Sequence, residues 1–263
     1  MDNSAILSAV GGIWALLVLA SIIVFALIKL KPEKDYSELA LRTKSWWVMI
    51  GIFTFAMLTS RVVSLCFLGL VSFLALKEFF SMIPTRRADR RVLFWAYLAI
   101  PIQYYWAAQE WYGMFIIFIP VYAFLFLPLR MIITQKTEGF LKAVGTIHWG
   151  LMTCVFSISH TAYLLVLPPL PVSTAGGAGL LLYLAFLTQF NDVSQYVWGK
   201  LFGKHKILPT VSPKKTWQGL IGGVFTTTII AVLIAPYITP FDMLHAVCAG
   251  LLISIAGFIG DVT

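Results

Sequence analysis

The chain has 263 residues, of which 60% are hydrophobic and only 11% charged, and its formal net charge is +8. A soluble domain is about half apolar and a quarter charged, so this composition, with a mean hydropathy of +0.89, excludes an ordinary water-soluble fold. We therefore expect an all-α polytopic membrane protein whose basic excess sets its orientation in the bilayer and does not bind nucleic acid.

Apolar runs long enough to cross the bilayer recur along the whole chain. A membrane-spanning helix needs about 20 such residues. The first run lacks a basic start and is long, which favours a retained span over a cleaved signal. The second and third runs are separated only by Arg61, so they are either two spans or one bent, partly re-entrant pair. The sequence predicts about nine spans, at 5–28, 46–60, 62–81, 92–108, 111–129, 141–167, 178–199, 217–238 and 243–260.

The positions of the basic residues predict the orientation. If nine spans alternate, all of the 19 basic residues except Arg61 lie on one side, which the positive-inside rule makes cytoplasmic. The chain is then N-out and C-in, with outer loops too short for a soluble domain. We group spans one to five as 1–140 and spans six to nine as 141–263. Lys77 lies at the inner end of the third span, and the inner loops carry Lys29, Lys31, Lys34, Arg42 and Lys44, then Arg86, Arg87, Arg90 and Arg91, then Arg130, Lys136 and Lys142, then Lys200, Lys204, Lys206, Lys214 and Lys215.

Asp192 is an ionisable residue inside the seventh predicted span. An unpaired charge in lipid is costly, so such a residue is a functional candidate. Counted from Lys200, it lies about 12 Å inside the cytoplasmic end of the helix. Asn191 and Gln195 make the same face polar, and carboxylate and amide oxygens are ligands that suit Mg²⁺. The alternative is a structural ion pair between Asp192 and a loop lysine.

Asp261 is the second candidate carboxylate, at the cytoplasmic end of the ninth span. The predicted topology places it on the same side of the membrane as Asp192. One carboxylate from each of two helices can hold Mg²⁺ together with a triphosphate. The alternative is an aspartate that is simply solvated at a helix end.

The loop between spans seven and eight carries a candidate phosphate site. Ser212 followed by Pro213 predicts an N-cap and the first position of the eighth helix. Free N–H groups at that helix start, with Lys214 and Lys215 beside them, would bind phosphate. The alternative is an ordinary basic loop that attracts anionic headgroups. Gly219 and Gly223 predict close packing of the eighth span on a neighbour.

The order of these polar residues resembles the phosphatidate cytidylyltransferase (CDP-diacylglycerol synthase) family. The resemblance covers roughly the last 75 residues, and its combined spacing is specific although no single part is. It is carried by Asn191-Asp192, Tyr196, Gly199-Lys200, Phe202-Gly203-Lys204, Pro209, Ser212-Pro213-Lys214-Lys215-Thr216, Gly219 and Gly260-Asp261, with a further match at Leu76-Lys77-Glu78-Phe79.

The resemblance implies transfer of CMP from CTP to phosphatidate with Mg²⁺, on the cytoplasmic side of a bacterial inner membrane and often in a homodimer. Asp192 and Asp261 would hold the metal and, with Lys215, act in catalysis. The lipid phosphate would attack the α-phosphorus of CTP in line. The residues implied to bind substrate or phosphate are Asn191, Lys200, Ser212, Lys214, Lys215 and Thr216.

The sequence departs from the family pattern in three places. Ser194-Gln195 stands where the family has glycine or serine then alanine, and Gln218 stands where it has glutamate. The family also continues past Gly-Asp into a Lys-Arg-Asp and Pro-Gly-His-Gly-Gly segment, whereas this sequence stops at Thr263. We therefore expect little or no synthase activity from these 263 residues. The alternatives are a non-catalytic relative that binds nucleotide, lipid or a partner enzyme, and a transporter that uses Asp192 as an ion site.

Overall fold

A computed structural model describes residues 3–30, 36–83, 90–133, 135, 138–167 and 175–262. Several predicted features lie outside the described residues. They are the basic loop residues Lys31, Lys34, Arg86, Arg87 and Lys136, residues 168–171 of the short outer loop between the sixth and seventh predicted spans, and Thr263.

The described residues are helical almost throughout. Two of the long helical segments each contain a π-helical stretch. These are π1 (Phe118–Ala123), between α5 and α6, and π2 (Leu151–Ser157), between α7 and α8. Pro120 lies in π1, where its missing N–H weakens the regular α pattern. The helices are α1 (Asn3–Leu30), α2 (Ser37–Thr59), α3 (Arg61–Met82), α4 (Arg90–Ala108), α5 (Tyr112–Ile117), α6 (Phe124–Ile132), α7 (Phe140–Gly150), α8 (Ile158–Leu164), α9 (Gly176–Phe202), α10 (Trp217–Ile238) and α11 (Met243–Val262).

Six helical segments of the described residues are long and apolar enough to cross a membrane, which confirms the expected class of all-α membrane protein. They are Ile6–Leu30, Arg61–Met82, Tyr112–Ile132, Phe140–Leu164, Trp217–Ile238 and Met243–Val262. The predicted spans in α2, α4 and α9 are helical but less apolar. The count of nine spans and the N-out orientation stay predictions.

The second and third predicted spans form an antiparallel helical hairpin. Ser60 between them is extended, and its side chain accepts a hydrogen bond from the Val63 N–H at 3.3 Å. The rings of Phe53 and Phe67 meet across the hairpin with centroids 6.5 Å apart. Because α2 has 23 residues and α3 has 22, each can extend about 33 Å. Each helix is therefore long enough to cross a bilayer, and the choice between two spans and a bent, partly re-entrant pair stays a prediction.

The chain divides into two compact units, residues 17–167 and residues 1–16 with 168–263. The first unit is held by buried polar contacts as well as by apolar packing. The Tyr104 hydroxyl donates to the Leu68 carbonyl at 2.8 Å, and the Gln103 amide donates to the Phe115 carbonyl at 3.0 Å. The sequence-based grouping at 1–140 and 141–263 follows predicted function and stays a prediction.

The second unit contains α9, α10 and α11, and glycines allow these helices to approach closely. A Cβ at Gly219 would lie 2.8 Å from the backbone oxygen of Gln195, and one at Gly250 would lie 2.8 Å from the Ala231 Cβ. These contacts confirm the predicted close packing of the eighth span. The small residues are required because a side chain would push the helix axes apart.

One departure from an all-α fold lies between α9 and α10. Strands β1 (Lys206–Leu208) and β2 (Ser212–Thr216) form an antiparallel hairpin. Lys206 pairs with Thr216 and Leu208 with Ser212, so the register shifts and five residues of β2 face three of β1. Such a bulge redirects side chains out of the regular alternation of a strand. Lys214 and Lys215 lie within it.

Asp242 caps α11, and we expect its replacement by alanine to lower the thermal midpoint at neutral pH. Its carboxylate accepts the His245 N–H at 2.8 Å, and this hydrogen bond chiefly holds the pKa of Asp242 below its ordinary value near 4. A lowered pKa stabilises the fold above the unfolded-state pKa, and that stability is lost as pH falls through the folded value.

The check is thermal unfolding of the parent and of Asp242→Ala from pH 7 down to pH 3. The difference in midpoint should be full at pH 5 to 7 and shrink below pH 4. Asp242→Asn is the matched control, because asparagine is also a good N-cap and should keep most of the stability. A difference that is independent of pH would contradict the capping role of the carboxylate.

Candidate functional site

Asn191 fixes the helix that carries Asp192. Its side chain is completely buried and contacts both neighbouring helices. The Nδ2 group donates to the Ser254 carbonyl of α11 at 3.3 Å, and Oδ1 accepts the Thr227 hydroxyl of α10 at 3.4 Å. Asn191 therefore joins three helices and holds the next residue in register. Its implied contact with substrate stays a prediction.

The structure relates the two candidate carboxylates to one of the three candidate lysines. Lys215 Nζ, at the end of the β2 bulge, donates to Asp261 Oδ2 on α11. Asp192 on α9 is half-buried, repelled by the charge of Asp261 and attracted by that of Lys215. We call Asp192, Asp261 and Lys215 the charged triad. Its members come from three elements, so only the tertiary fold could assemble it.

The predicted helix start at Ser212 and Pro213 is wrong. Ser212–Thr216 is strand β2, and α10 begins at Trp217 with Thr216 as its N-cap, whose Oγ1 accepts the Gly219 N–H at 3.2 Å. Proline suits this position because a two-stranded ribbon has outer edges where no N–H is needed. Threonine is also a favoured cap, and here it lies four residues after the serine.

This correction changes the expected phosphate site. The Trp217 N–H donates to the His205 carbonyl at 3.0 Å, and the Gly219 N–H is bound by Thr216. Two N–H groups of the first turn of α10 thus have partners within the protein. Any phosphate binding here has to come mainly from lysine side chains.

The implied phosphate-binding residues occupy different positions around the hairpin. Lys214 is exposed, whereas the Lys215 side chain is only 24% exposed because it packs towards α11. Lys200 turns back along its own helix, with Nζ 3.3 Å from the Tyr196 hydroxyl. Ser212 opens β2, and the Thr216 hydroxyl serves as the cap of α10. Of these lysines, Lys215 bonds to Asp261, whereas Lys200 bonds within its own helix.

Gln218 anchors the loop that leads into the hairpin, a role that the sequence did not reveal. Its Oε1 accepts the N–H groups of Lys204 at 3.1 Å and His205 at 3.2 Å, and its Nε2 lies 3.0 Å from His205 Nδ1. A glutamine, unlike a glutamate, can donate to the ring nitrogen while it accepts from the backbone. The glutamine that departs from the family pattern at this position thus stabilises the loop before the hairpin.

Glycines at the end of α9 let the hairpin lie close to the helix. A Cβ at Gly199 would lie 3.3 Å from Thr216 Oγ1, and one at Gly203 would lie 2.9 Å from the same atom. Both glycines therefore make room for the residue that ends β2 and caps α10.

Gln195 is a second departure from the family pattern, and its buried amide destabilises the fold. The side chain is 5% exposed, and neither Nε2 nor Oε1 has a hydrogen-bond partner among the described residues. Burying an unpaired amide costs about 1–3 kcal/mol. We expect Gln195→Met, which keeps the length of the side chain, to raise the free energy of unfolding by about that amount.

Asn191→Leu is the matched control for this prediction, because it removes an amide whose two ends are both bonded. We expect it to lower stability, since it leaves the Thr227 hydroxyl without its acceptor and the Ser254 carbonyl without its donor. Thermal or denaturant unfolding of both variants in the same detergent measures the contrast. A loss of stability in Gln195→Met would mean that this amide does have a partner.

The carboxylates of the charged triad are of a type and number that could hold a divalent metal. No cluster of three or more histidine, cysteine, aspartate or glutamate side chains that could hold a metal occurs in the described ranges. Mg²⁺ does not need such a cluster, because it commonly binds one or two carboxylates together with waters and substrate phosphates. Asp192 and Asp261 supply that number of carboxylates, and their mutual repulsion favours a cation.

Comparison with known proteins gives a consistent family. The cytidylyltransferase family profile matches residues 40–263. The uncharacterized protein YnbB of Escherichia coli (strain K12) is 41% identical over 250 residues, which cover 95% of this chain and 82% of that protein. A phosphatidate cytidylyltransferase of Staphylococcus haemolyticus is 24% identical over 222 residues, 84% of this chain and 81% of that protein.

A second phosphatidate cytidylyltransferase, from Staphylococcus aureus (strain COL), is 36% identical over 87 residues, 32% of this chain and 33% of that protein. No solved structure matches the chain at a significant level. Since the family profile spans most of the chain and includes every member of the charged triad, the protein belongs to the cytidylyltransferase family.

Proposed function

We propose that this protein transfers the cytidylyl group of CTP to phosphatidate, with CDP-diacylglycerol and pyrophosphate as products. The observation that carries the proposal is the charged triad, in which Lys215 bonds to Asp261 and the charges of both act on Asp192, so that three separate elements contribute. The family supplies the nucleotide class, and relatives named phosphatidate cytidylyltransferase supply the lipid acceptor. The apolar helices α10 and α11 support a lipid substrate, because Asp261 lies at the end of a helix that is long and apolar enough to cross a membrane.

The helix that carries Asp261 also exposes apolar side chains that suit an acyl-chain substrate. On α11, Ile255 is 48% exposed and Ile259 is 55% exposed, within two helical turns of Asp261. Apolar side chains that are exposed on a membrane helix face lipid. A phosphatidate molecule could therefore keep its tails in the bilayer while its phosphate reaches the charged triad.

In the proposed reaction, an oxygen of the phosphatidate phosphate attacks the α-phosphorus of CTP. The bond from that phosphorus to the β-phosphate oxygen breaks, and pyrophosphate leaves with the electron pair. A phosphate monoester is largely dianionic at neutral pH, since its second pKa is near 6. The attacking group thus needs no general base, and the main task of the protein is to bring two polyanions together.

In this reaction the acidic residues would hold the metal and the basic residues would bind phosphate. Asp192 and Asp261 would hold Mg²⁺, which when bound neutralises the triphosphate and the leaving pyrophosphate. Lys215 and the exposed Lys214 would bind phosphate oxygens. Ser212 and Thr216 flank these lysines in β2 and would line the same side. Asn191 keeps Asp192 in place through its contacts with α10 and α11.

The test is a transfer assay with the purified chain in detergent micelles that contain phosphatidate. If the proposal holds, CTP labelled at the α-phosphate passes its label to a lipid product, with one pyrophosphate released for each product molecule. That result would contradict the low activity expected from the three departures from the family pattern. ATP and UTP, added in place of CTP, test the nucleotide class. Binding of CTP without any lipid product would favour the non-catalytic relative, and no CTP binding at all would defeat the proposal.

A further inference from the structure

Lys215 occupies the position of a counter-ion within the charged triad. Its ammonium bonds to Asp261 and is attracted by Asp192. It also lies 5.8 Å from the centre of the Phe258 ring, which favours a cation over its face. The two carboxylates repel each other, and Lys215 is the cation that offsets this repulsion in the protein as described.

A divalent cation at the same carboxylates would meet this ammonium as a competitor. The metal would take the Asp261 oxygen to which Lys215 donates, and its positive charge would repel the lysine. The Asp261 and Lys215 side chains are only 36% and 24% exposed, so water screens this repulsion incompletely. Free metal therefore has to displace a cation that the fold has already provided.

Lys215 can leave the carboxylate without any rearrangement of the backbone. It lies in the β2 bulge, and the chain after it is held by the cap of Thr216 on α10. The loop before the hairpin is held by Gln218. Since the lysine side chain has a flexible four-carbon stem, a rotamer change alone can carry its ammonium from a carboxylate to a nearby phosphate.

We propose that Lys215 keeps free divalent cations off Asp192 and Asp261 and moves to the triphosphate when a metal–nucleotide complex binds. The inference rests on the proposed nucleotide site. Its consequence is positive coupling, in which metal and nucleotide each raise the affinity of the protein for the other. The protein would then bind the loaded nucleotide in preference to either component.

The experiment measures Mn²⁺ binding to the full chain in detergent without nucleotide, by the loss of the free Mn²⁺ paramagnetic signal. We expect weak binding to the parent and at least tenfold tighter binding to Lys215→Met. Lys214→Met is the matched control, because Lys214 is exposed, and its Mn²⁺ affinity should equal that of the parent. Lys215→Arg keeps the charge and should also bind like the parent.

A second measurement follows CTP binding with and without Mn²⁺. In the parent, Mn²⁺ should raise the affinity for CTP strongly, and in Lys215→Met this enhancement should fall several-fold. If Lys215→Met is unstable, Lys215→Gln repeats the comparison with a polar side chain. Unchanged or weaker Mn²⁺ binding in folded neutral variants would overturn the proposal, as would the absence of Mn²⁺ binding from every variant.

The two proposals fail in different ways. Lipid product made by the parent together with unchanged Mn²⁺ affinity in Lys215→Met would remove the counter-ion inference alone. Tighter Mn²⁺ binding in Lys215→Met with no CTP binding in any variant would support the competition for the carboxylates. That same result would defeat both the cytidylyl-transfer function and the movement of Lys215 to a triphosphate.

Discussion

Asp192→Asn is expected to reduce cytidylyl transfer at least about 100-fold while the protein stays folded. Asparagine has nearly the same shape, so the packing of α9 is kept, but one of the two proposed metal ligands loses its charge. Removal of a single group that stabilises charge in a transition state commonly costs 100-fold or more in rate. The same substitution should also weaken Mn²⁺ binding in the presence of CTP.

The measurement is the initial rate of labelled CDP-diacylglycerol formation for parent and variant at saturating CTP. Asp242→Asn is the matched control, since it neutralises an aspartate at the opposite end of α11 and retains a good cap. Its rate should stay within about twofold of the parent. A rate for Asp192→Asn close to that of the parent would remove Asp192 from the catalytic site.

Gly179→Ala is expected to destabilise the protein by about 1–3 kcal/mol, as overpacking commonly does. Gly179 lies in the first turn of α9, where a Cβ would overlap the carbonyl oxygen of Ile238 at the end of α10. The same Cβ would lie 2.6 Å from the Ala175 Cβ. Because the obstructing oxygen belongs to the backbone, no rotamer change can relieve the overlap.

Gly145→Ala is the control for this prediction. A Cβ at Gly145 in α7 meets nothing within 4 Å, and alanine is favoured over glycine inside a helix by up to about 1 kcal/mol. Thermal unfolding in detergent should therefore show a lower midpoint for Gly179→Ala and an unchanged or higher one for Gly145→Ala. Equal midpoints would mean that α9 and α10 can move apart here at little cost.

The boundaries of several spans could be predicted from composition alone. The spans at 62–81, 217–238 and 243–260 correspond to α3, α10 and α11 within two residues at each end. Apolar length is a strong signal because a backbone that crosses lipid has to satisfy its own hydrogen bonds, and a long apolar helix does so within one segment. The helix that contains the second predicted span is longer than that span, since α2 begins at Ser37 in a charged segment that carries no apolar signal.

The hairpin between α9 and α10 could not be read from local sequence. Ser212-Pro213 and Thr216 are both plausible helix starts by their side chains. The choice depends on the pairing of β2 with β1 and on the contact of Thr216 with Gly199 and Gly203. A local pattern carries no information on such contacts, so the predicted N-cap was wrong.

The sequence by itself determined that this protein is an all-α membrane protein of the cytidylyltransferase family and which carboxylates to examine. Hydropathy and motif spacing are local properties that a single chain displays directly. Only the tertiary structure decided that Lys215 pairs with Asp261, that Lys200 does not, and that Asn191 joins three helices. Those contacts depend on how α9, α10 and α11 pack. Their packing is set by glycines and by the shapes of side chains that are far apart in the sequence.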